Sequence, residues 1–253
     1  MAGLAIDQAA WASRWRERAL CDKCVLALGL VLSAVLLPPW PAAVLVGAVA
    51  LGAAVVAART PWRLLARSMR PPLVFIGLGA VSVAVTVTVS PHFSVAMTPA
   101  SLTRAGEVTG RALAGTLSVL LLAVTTPVSD ILAGLRRLHV PEACVDVAAL
   151  MYRMLFILLD SLGTIRESQT ARLGYTSPQR AMTSAGLLGA AVLTRAWDRA
   201  HRLEAGLAGR EFTTSMRTVE YRRPSSPRFV TVSVAVLAAI AAVSLVVSGG
   251  WAG

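Results

Sequence analysis

The sequence predicts an all-α polytopic membrane protein with about five transmembrane helices and a long amphipathic cytoplasmic helical segment before the last span. Three observations carry that reading. The 253-residue chain is 56% hydrophobic and only 15% charged, whereas soluble domains run at about 45–50% apolar and about 25% charged. Charge is missing in blocks: Val25 to Ala58, Pro71 to Thr103, Ala112 to Ser129 and Phe229 to Gly253 hold no Asp, Glu, Lys or Arg. Basic residues crowd between the blocks, above all in the 99 residues from Asp130 to Arg228, which carry 14 arginines. Lipid offers the backbone no hydrogen-bond partners, so uncharged blocks of this length read as spanning helices.

Residues 1–22 read as a cytoplasmic N-terminal segment. Arg14, Arg16, Arg18 and Lys23 precede the first apolar block, and the absence of a cleavage site after a short apolar core argues against a removable signal. Residues 23–129 read as four transmembrane helices. Val25–Ala58 is too long for one span of about 20 residues, and Pro38-Pro39-Trp40-Pro41 interrupts it. Two helices are expected, Lys23–Leu37 and Pro41–Ala58, joined by a tight hairpin and both short enough to need tilt or snorkelling of Lys23 and Arg59. A third span is expected over Pro72–Ser90. Its run from Val81 to Val89 alternates like a strand, but an isolated strand cannot cross lipid, and Pro91-His92 ends it. The fourth span is expected over Glu107–Val128, and residues 229–253 supply the last, over Phe229–Val247.

Orientation follows from the basic loops. The N-terminal segment, with Lys23 at its boundary, supplies four basic residues. Arg59, Arg63, Arg67 and Arg70 lie in the second loop, and the Asp130–Arg228 segment holds 14 more. Five spans with the N-terminus in the cytoplasm place 22 of the 24 basic residues on one side; Arg104 and Arg111 are the exceptions. The expected location is therefore a bacterial cytoplasmic membrane, multi-pass, with the C-terminus outside.

Residues 130–228 read as two long amphipathic helices. Val140-Pro141-Glu142 marks a start, with proline in the first turn and an acid at the positive end of the dipole. Val147, Leu150, Met151, Met154, Leu155, Leu158, Leu159 and Leu162 form an apolar stripe, and Gly174 supplies a C-terminal stop. Ser177-Pro178 restarts the chain as N-cap and N1. The second helix is expected to run to about Phe212, bending at Gly186 or Gly189. Its uncharged stretch 181–194 is short for a span, so it is expected to be buried in protein or to lie at the membrane interface. Arg195, Arg199, Arg202, Gly206 and Arg210 share one face, with Asp198 and Arg202 as an i,i+4 pair. Each helix ends in an arginine beside small residues, Ala171-Arg172 and Gly209-Arg210-Glu211. Such an end lets another surface approach closely, and a guanidinium can grip a carboxylate in bidentate fashion.

Several function classes lack their chemistry. Nucleic-acid binding is disfavoured because the positive charge adjoins hydrophobic blocks with no recognition motif. Cys21-Asp22-Lys23-Cys24 has C-x-x-C spacing, but no second Cys or His pair completes a zinc site. His92, His139 and His201 are scattered, no paired carboxylates or nucleophile–base motif occurs, and no catalytic residue or metal ligand is assigned. A transporter acting alone would carry ionisable residues within its spans and internal repeats; the expected spans hold almost none beyond Glu107 and Arg111 near one end, and no repeat is evident.

Ordered stretches of the chain resemble the cobalt-type T component of energy-coupling factor (ECF) transporters, the CbiQ family. They begin with Ile6-Asp7, Ser13-Arg14-Trp15-Arg16 and Leu37-Pro38-Pro39-Trp40-Pro41. Tyr152-Arg153-Met154-Leu155-Phe156-Ile157-Leu158-Leu159-Asp160 is similar to the family's Y-R-x-x-F-x-L-L-[DE] segment. Ile165 to Arg172 is similar to the stretch bearing its first A-R-x signature, and Asp198-Arg199-Ala200 with Leu207 to Phe212 to the second. Leu173 stands where a small residue is common, and Gly209-Arg210-Glu211 replaces Ala-Arg-Gly.

The resemblance implies a non-catalytic scaffold whose 130–228 segment forms coupling helices. Ala171, Arg172, Gly209, Arg210 and Glu211 would be its ATPase-coupling residues. The implied partners are ATP-binding ABC subunits at the cytoplasmic face, a substrate-capture membrane subunit and the lipid bilayer, with no nucleic acid. This chain would hold no cofactor, and ATP would be bound by the partner subunits. The implied cargo is cobalt or nickel, with a vitamin such as biotin as the alternative.

Overall fold

The computed structural model describes residues 2–88, 94–138, 140–209 and 225–249. They form two units, residues 1–134 with 221–253, and residues 135–220. The first unit begins with α1 (Ala2–Ala12), a helix that the hydropathy blocks did not reveal. It packs against the later helices α4 and α5. A 3₁₀ turn at Arg14–Glu17 follows, capped by the Ser13 side chain.

The long apolar helices are α2 (Leu20–Leu36), α3 (Pro39–Gly52, continued by a π-helical turn to Ala57), α4 (Trp62–Ala84), α5 (Pro99–Thr125) and, after the second unit, α9 (Pro227–Gly249). Among the described residues, four helices are long and apolar enough to cross a membrane: Pro39–Ala57, Trp62–Ala84, Pro99–Thr125 and Pro227–Ser248. The fifth, α2, has 17 residues, the lower end of the range that spans a bilayer. It packs against α3, α5 and α9.

Buried Leu26, Leu30, Val46, Leu121, Val124 and Ile240 share the core with Ala34, Ala50 and Ala114. In lipid there is little hydrophobic force between helices, and small residues that permit close approach favour association. Gly29 shows this directly: a Cβ there would collide with a Leu237 methyl across the α2–α9 contact. Leu32, Leu36, Val56, Phe75, Leu78 and Val246 are instead exposed on the outer faces, as lipid-facing residues are.

Three helix boundaries in α4 and α5 differ from the sequence expectation. Helix α4 begins at Trp62, not Pro72, so Arg63, Arg67 and Arg70 lie on a helix and not in a loop. Pro71 and Pro72 sit inside it; spanning helices tolerate proline because neighbouring groups re-satisfy the freed carbonyls. Its other end falls at Ala84, and Val85 turns extended. The alternating Val/Thr run then becomes β1 (Thr86–Thr88), antiparallel to β2 (Ser94–Ala96), with Val87 opposite Val95. Branched side chains favour an extended backbone, and here two strands pair with each other beyond the span. Pro91-His92 lies outside the described residues. Helix α5 starts eight residues before the expected Glu107 because Thr98 and Ser101 form a reciprocal cap, and the Ser101 hydroxyl also donates to Ala84 O at 2.8 Å.

At the ends of the spans, Lys23 does not snorkel. It is 2% exposed and its Nζ donates to Thr125 O at 2.8 Å, at the C-terminus of α5. Its neighbour Asp22, 1% exposed, accepts from Ser226 N–H at 2.8 Å, at the N-terminus of α9. Each charge thus meets the helix end of opposite dipole. Trp15 packs edge-on against Phe229 at 5.1 Å between centroids, with the Arg18 guanidinium 4.4 Å from the Phe229 ring. After α3 the chain turns through Arg59 at φ 54, a left-handed conformation costing a non-glycine residue about 1–2 kcal/mol.

Helix α6 (Val128–Arg137) follows α5 directly, another element missed in the sequence. The second unit is a helical hairpin of α7 (Glu142–Ala171) and α8 (Pro178–Ala208). Helix α8 is continuous through Gly186 and Gly189 and is capped as expected, Ser177 accepting from Arg180 N–H with Pro178 at N1.

Candidate functional site

The first arginine signature lies at the corner of the α7–α8 hairpin. Helix α7 ends in a Schellman motif. Arg172 is the C-cap, Leu173 N–H donates to Thr170 O at 3.0 Å, and Gly174 N–H donates to Gln169 O at 2.8 Å. The left-handed residue is Leu173, at φ 59, and not the expected Gly174. Gly174 is required for a different reason. A Cβ there would stand 2.6 Å from Ser184 Oγ and 2.9 Å from Gln169 O.

That close approach is held by a small polar network. Ser184 Oγ donates to Gly174 O at 2.9 Å, Gln169 Nε2 donates to Ser184 O at 3.0 Å, and Tyr175 OH donates to Gln169 Oε1 at 2.8 Å. Ser184 is 8% exposed, an anchoring point on a helix whose other described residues are more open. The three bonds tie the end of α7, the turn and the start of α8 to one another, so the corner is fixed from inside. Arg172 and Leu173 project outward, both exposed. Among the described residues Arg172 makes no ion pair, leaving its guanidinium donors available to an outside acceptor. Arg166 lies over the Tyr175 ring at 6.0 Å and Arg180 donates to Thr176 Oγ1 at 3.3 Å, which keeps the corner basic.

The second signature is not beside the first. Ala171 ends α7 next to the corner, whereas Gly209 is the C-cap of α8, its N–H donating to Ala205 O at 3.0 Å. The 31 residues of α8 separate the two by about 46 Å at 1.5 Å per residue. Arg210 and Glu211 lie outside the described residues, as does the expected helical extension to Phe212. Asp198 and Arg202 form no ion pair among the described residues, in keeping with the small value of exposed pairs. Arg136 and Asp146 of the hairpin unit form a salt bridge at 2.6 Å.

The apolar stripe on α7 is exposed at Val147, Met151 and Leu155 and half-buried at its other positions, while Val145 is the buried residue of that helix among the described residues. On α8, Met182, Leu187, Leu193 and Trp197 are likewise exposed. Among the described residues the stretch 181–194 is mostly open, with Ser184 as its buried position. Sequence reasoning missed Gln169, Tyr175 and Ser184 as supports of Arg172, because their partners are set by the hairpin and not by a local motif.

Replacing Gly174 with alanine is expected to destabilise the corner by about 1–3 kcal/mol, the usual cost of overpacking a tight contact. Ser184 can rotate away from the new methyl, but the backbone oxygen of Gln169 cannot. Hydrogen exchange should accelerate at residues 169–176 with the spans unaffected; unchanged protection there would show that the close approach is not maintained in solution.

Comparison with known proteins follows the same order of residues. The family profile CbiQ, described as cobalt transport protein, matches residues 12–221. A cobalt transport protein CbiQ of Rhodobacter capsulatus is 38% identical over 238 residues, covering 92% of this chain and 96% of that protein. One from Salmonella typhimurium is 29% identical over 200 residues, 75% of this chain and 88% of the relative. A longer protein of Methanocorpusculum labreanum, described as a putative fused cobalt transport protein CbiMQ, is 26% identical over 224 residues, 85% of this chain and 37% of its own length.

Proposed function

The chain belongs to the CbiQ family of cobalt transport proteins, and on that premise we propose that it is the transmembrane coupling (T) subunit of an ECF-type ABC importer for cobalt. The carrying observation is the hairpin corner: an exposed arginine without an ion pair among the described residues, on a turn held by a part-buried network. The second signature lies about 46 Å away along one helix. A rigid rod with a basic grip at each end suits a part that is moved by two ATP-binding subunits. On ATP binding the two subunits approach each other, and the ends they hold must follow. Helix α8 transmits that displacement because an intact helix resists bending more than a loop does. The N-terminus and the hairpin would lie in the cytoplasm, since basic residues concentrate there.

The exposed apolar residues of α7 and α8 support a partner or lipid contact, because patches of this kind on a folded chain mark interaction surfaces. The fused description of the Methanocorpusculum relative supports a membrane partner for the cargo. Cobalt is the substrate, gripped by that partner; this chain contributes movement and no catalysis.

The test is purification of the tagged chain in mild detergent together with uptake measurements in cells lacking it. ATP-binding subunits should co-purify, and cells without the chain should lose labelled cobalt uptake while keeping biotin uptake. Absence of any ATP-binding partner together with normal cobalt uptake would exclude the reading.

A further inference from the structure

A cavity of about 360 Å³ opens between α1 and the turn joining α3 to α4. Its size suits a small polar group, being at the low end for ligand sites. Its walls divide by chemistry. Alanines of α1 and Leu64 supply apolar surface, while Gln8, Ser13, Arg59 and Thr60 supply polar groups. Thr60 is 6% exposed, and its hydroxyl has no hydrogen-bond partner among the described residues. A buried hydroxyl left unmatched is costly unless something outside the chain accepts from it. Ser13 already accepts from Trp15 N–H at 3.2 Å, so its own proton can be donated. Arg59 brings a permanent positive charge and holds it in a left-handed conformation at φ 54. The polar groups are thus mainly donors beside a cation, and what they match is an oxyanion.

Depth identifies the carrier of that oxyanion. The cavity lies where the span Pro39–Ala57 ends and the span Trp62–Ala84 begins. Trp62 and Trp11 are exposed beside it, and tryptophan collects at the headgroup level. Arg63, Arg67 and Arg70 are exposed on α4 at i, i+4 and i+7, so they extend the positive surface along one face. Basic pockets between spanning helices at the membrane surface recognise anionic headgroups. We propose that this cavity binds the phosphate of an anionic phospholipid headgroup. Arg59 pairs with the phosphate, the Thr60 and Ser13 hydroxyls donate to it, and the apolar wall faces the glycerol end of the lipid.

The test measures thermal stabilisation of the full-length chain in detergent by phosphatidylglycerol, phosphatidylcholine and inorganic phosphate. Phosphatidylglycerol should stabilise the wild type at concentrations where the other two do not. R59G removes the guanidinium and also relieves the left-handed strain, so it should fold well yet bind the lipid about tenfold more weakly. Thr60→Val should weaken binding less and fold normally. R195Q, which removes one charge from α8, should match the wild type and so exclude a general charge effect. Equal responses to phosphatidylglycerol in wild type and R59G would overturn the site. Equal stabilisation by inorganic phosphate would overturn the lipid as its occupant.

Discussion

Reversing Arg172 and Arg210 together to glutamate is expected to abolish cobalt uptake and detach the ATP-binding subunits, leaving the membrane spans folded. Arg172 is exposed and makes no ion pair among the described residues, so its loss should cost little stability; the damage should fall on the partner contact. An arginine that docks on a carboxylate makes charge-assisted paired bonds, and truncating such a pair costs about 2–5 kcal/mol in binding. Charge reversal adds repulsion, so each single variant should weaken association by about 30-fold or more, from a factor of ten for every 1.4 kcal/mol. Arg172→Lys should recover part of the association, because lysine keeps the charge but not the forked geometry. Co-purification and uptake are the readouts. Normal uptake in the double variant would remove the coupling role from both ends of α8.

The second large effect should come from Lys23. Substituting methionine keeps a long apolar stem but removes the ammonium that donates to Thr125 O at 2.8 Å. The last carbonyls of α5 then lose a charged donor, a loss of about 1.5–3 kcal/mol. Asp22→Asn should cost less, about 1 kcal/mol, because an amide oxygen still caps Ser226 N–H while the dipole term disappears. Thermal unfolding in detergent distinguishes the two. If Lys23→Met melts with the wild type, the buried bond contributes nothing to stability. Both variants should leave Arg172 docking intact, which separates a folding defect from a coupling defect.

Local signals marked much of the membrane unit and of the hairpin. The proline cluster at 38–41 divides α2 from α3, because Trp40 is non-helical at φ −113 and ψ 124. Ser177-Pro178 starts α8 with the bond expected of an N-cap. Uncharged length revealed α5 and α9, though with soft ends: the α5 cap depends on Ser101, which also reaches Ala84 across the β1–β2 turn. What stayed hidden is non-local or short. Helices α1 and α6 have 11 and 10 residues, below the length at which hydropathy separates a helix from a loop. Proline normally ends a helix, so Pro71-Pro72 concealed the first turns of α4. At the candidate site, residue order exposed Arg172, but not the Gln169–Ser184–Gly174 network that aims it. Leu173 in a left-handed conformation runs against the preference for glycine there. The sequence marked the arginine without its mounting.

The bond from Asp22 to Ser226 joins residues 204 positions apart, and this sets a schedule for biosynthesis. A ribosome adding about 5–20 residues per second makes the carboxylate about 10–40 s before the amide that it caps. During that wait α2 can enter the bilayer, but its Asp22 carboxylate lacks the amide partner that it holds in the finished protein. The last span therefore does more than add another crossing: its arrival supplies the amide at the base of α2 and completes the first span.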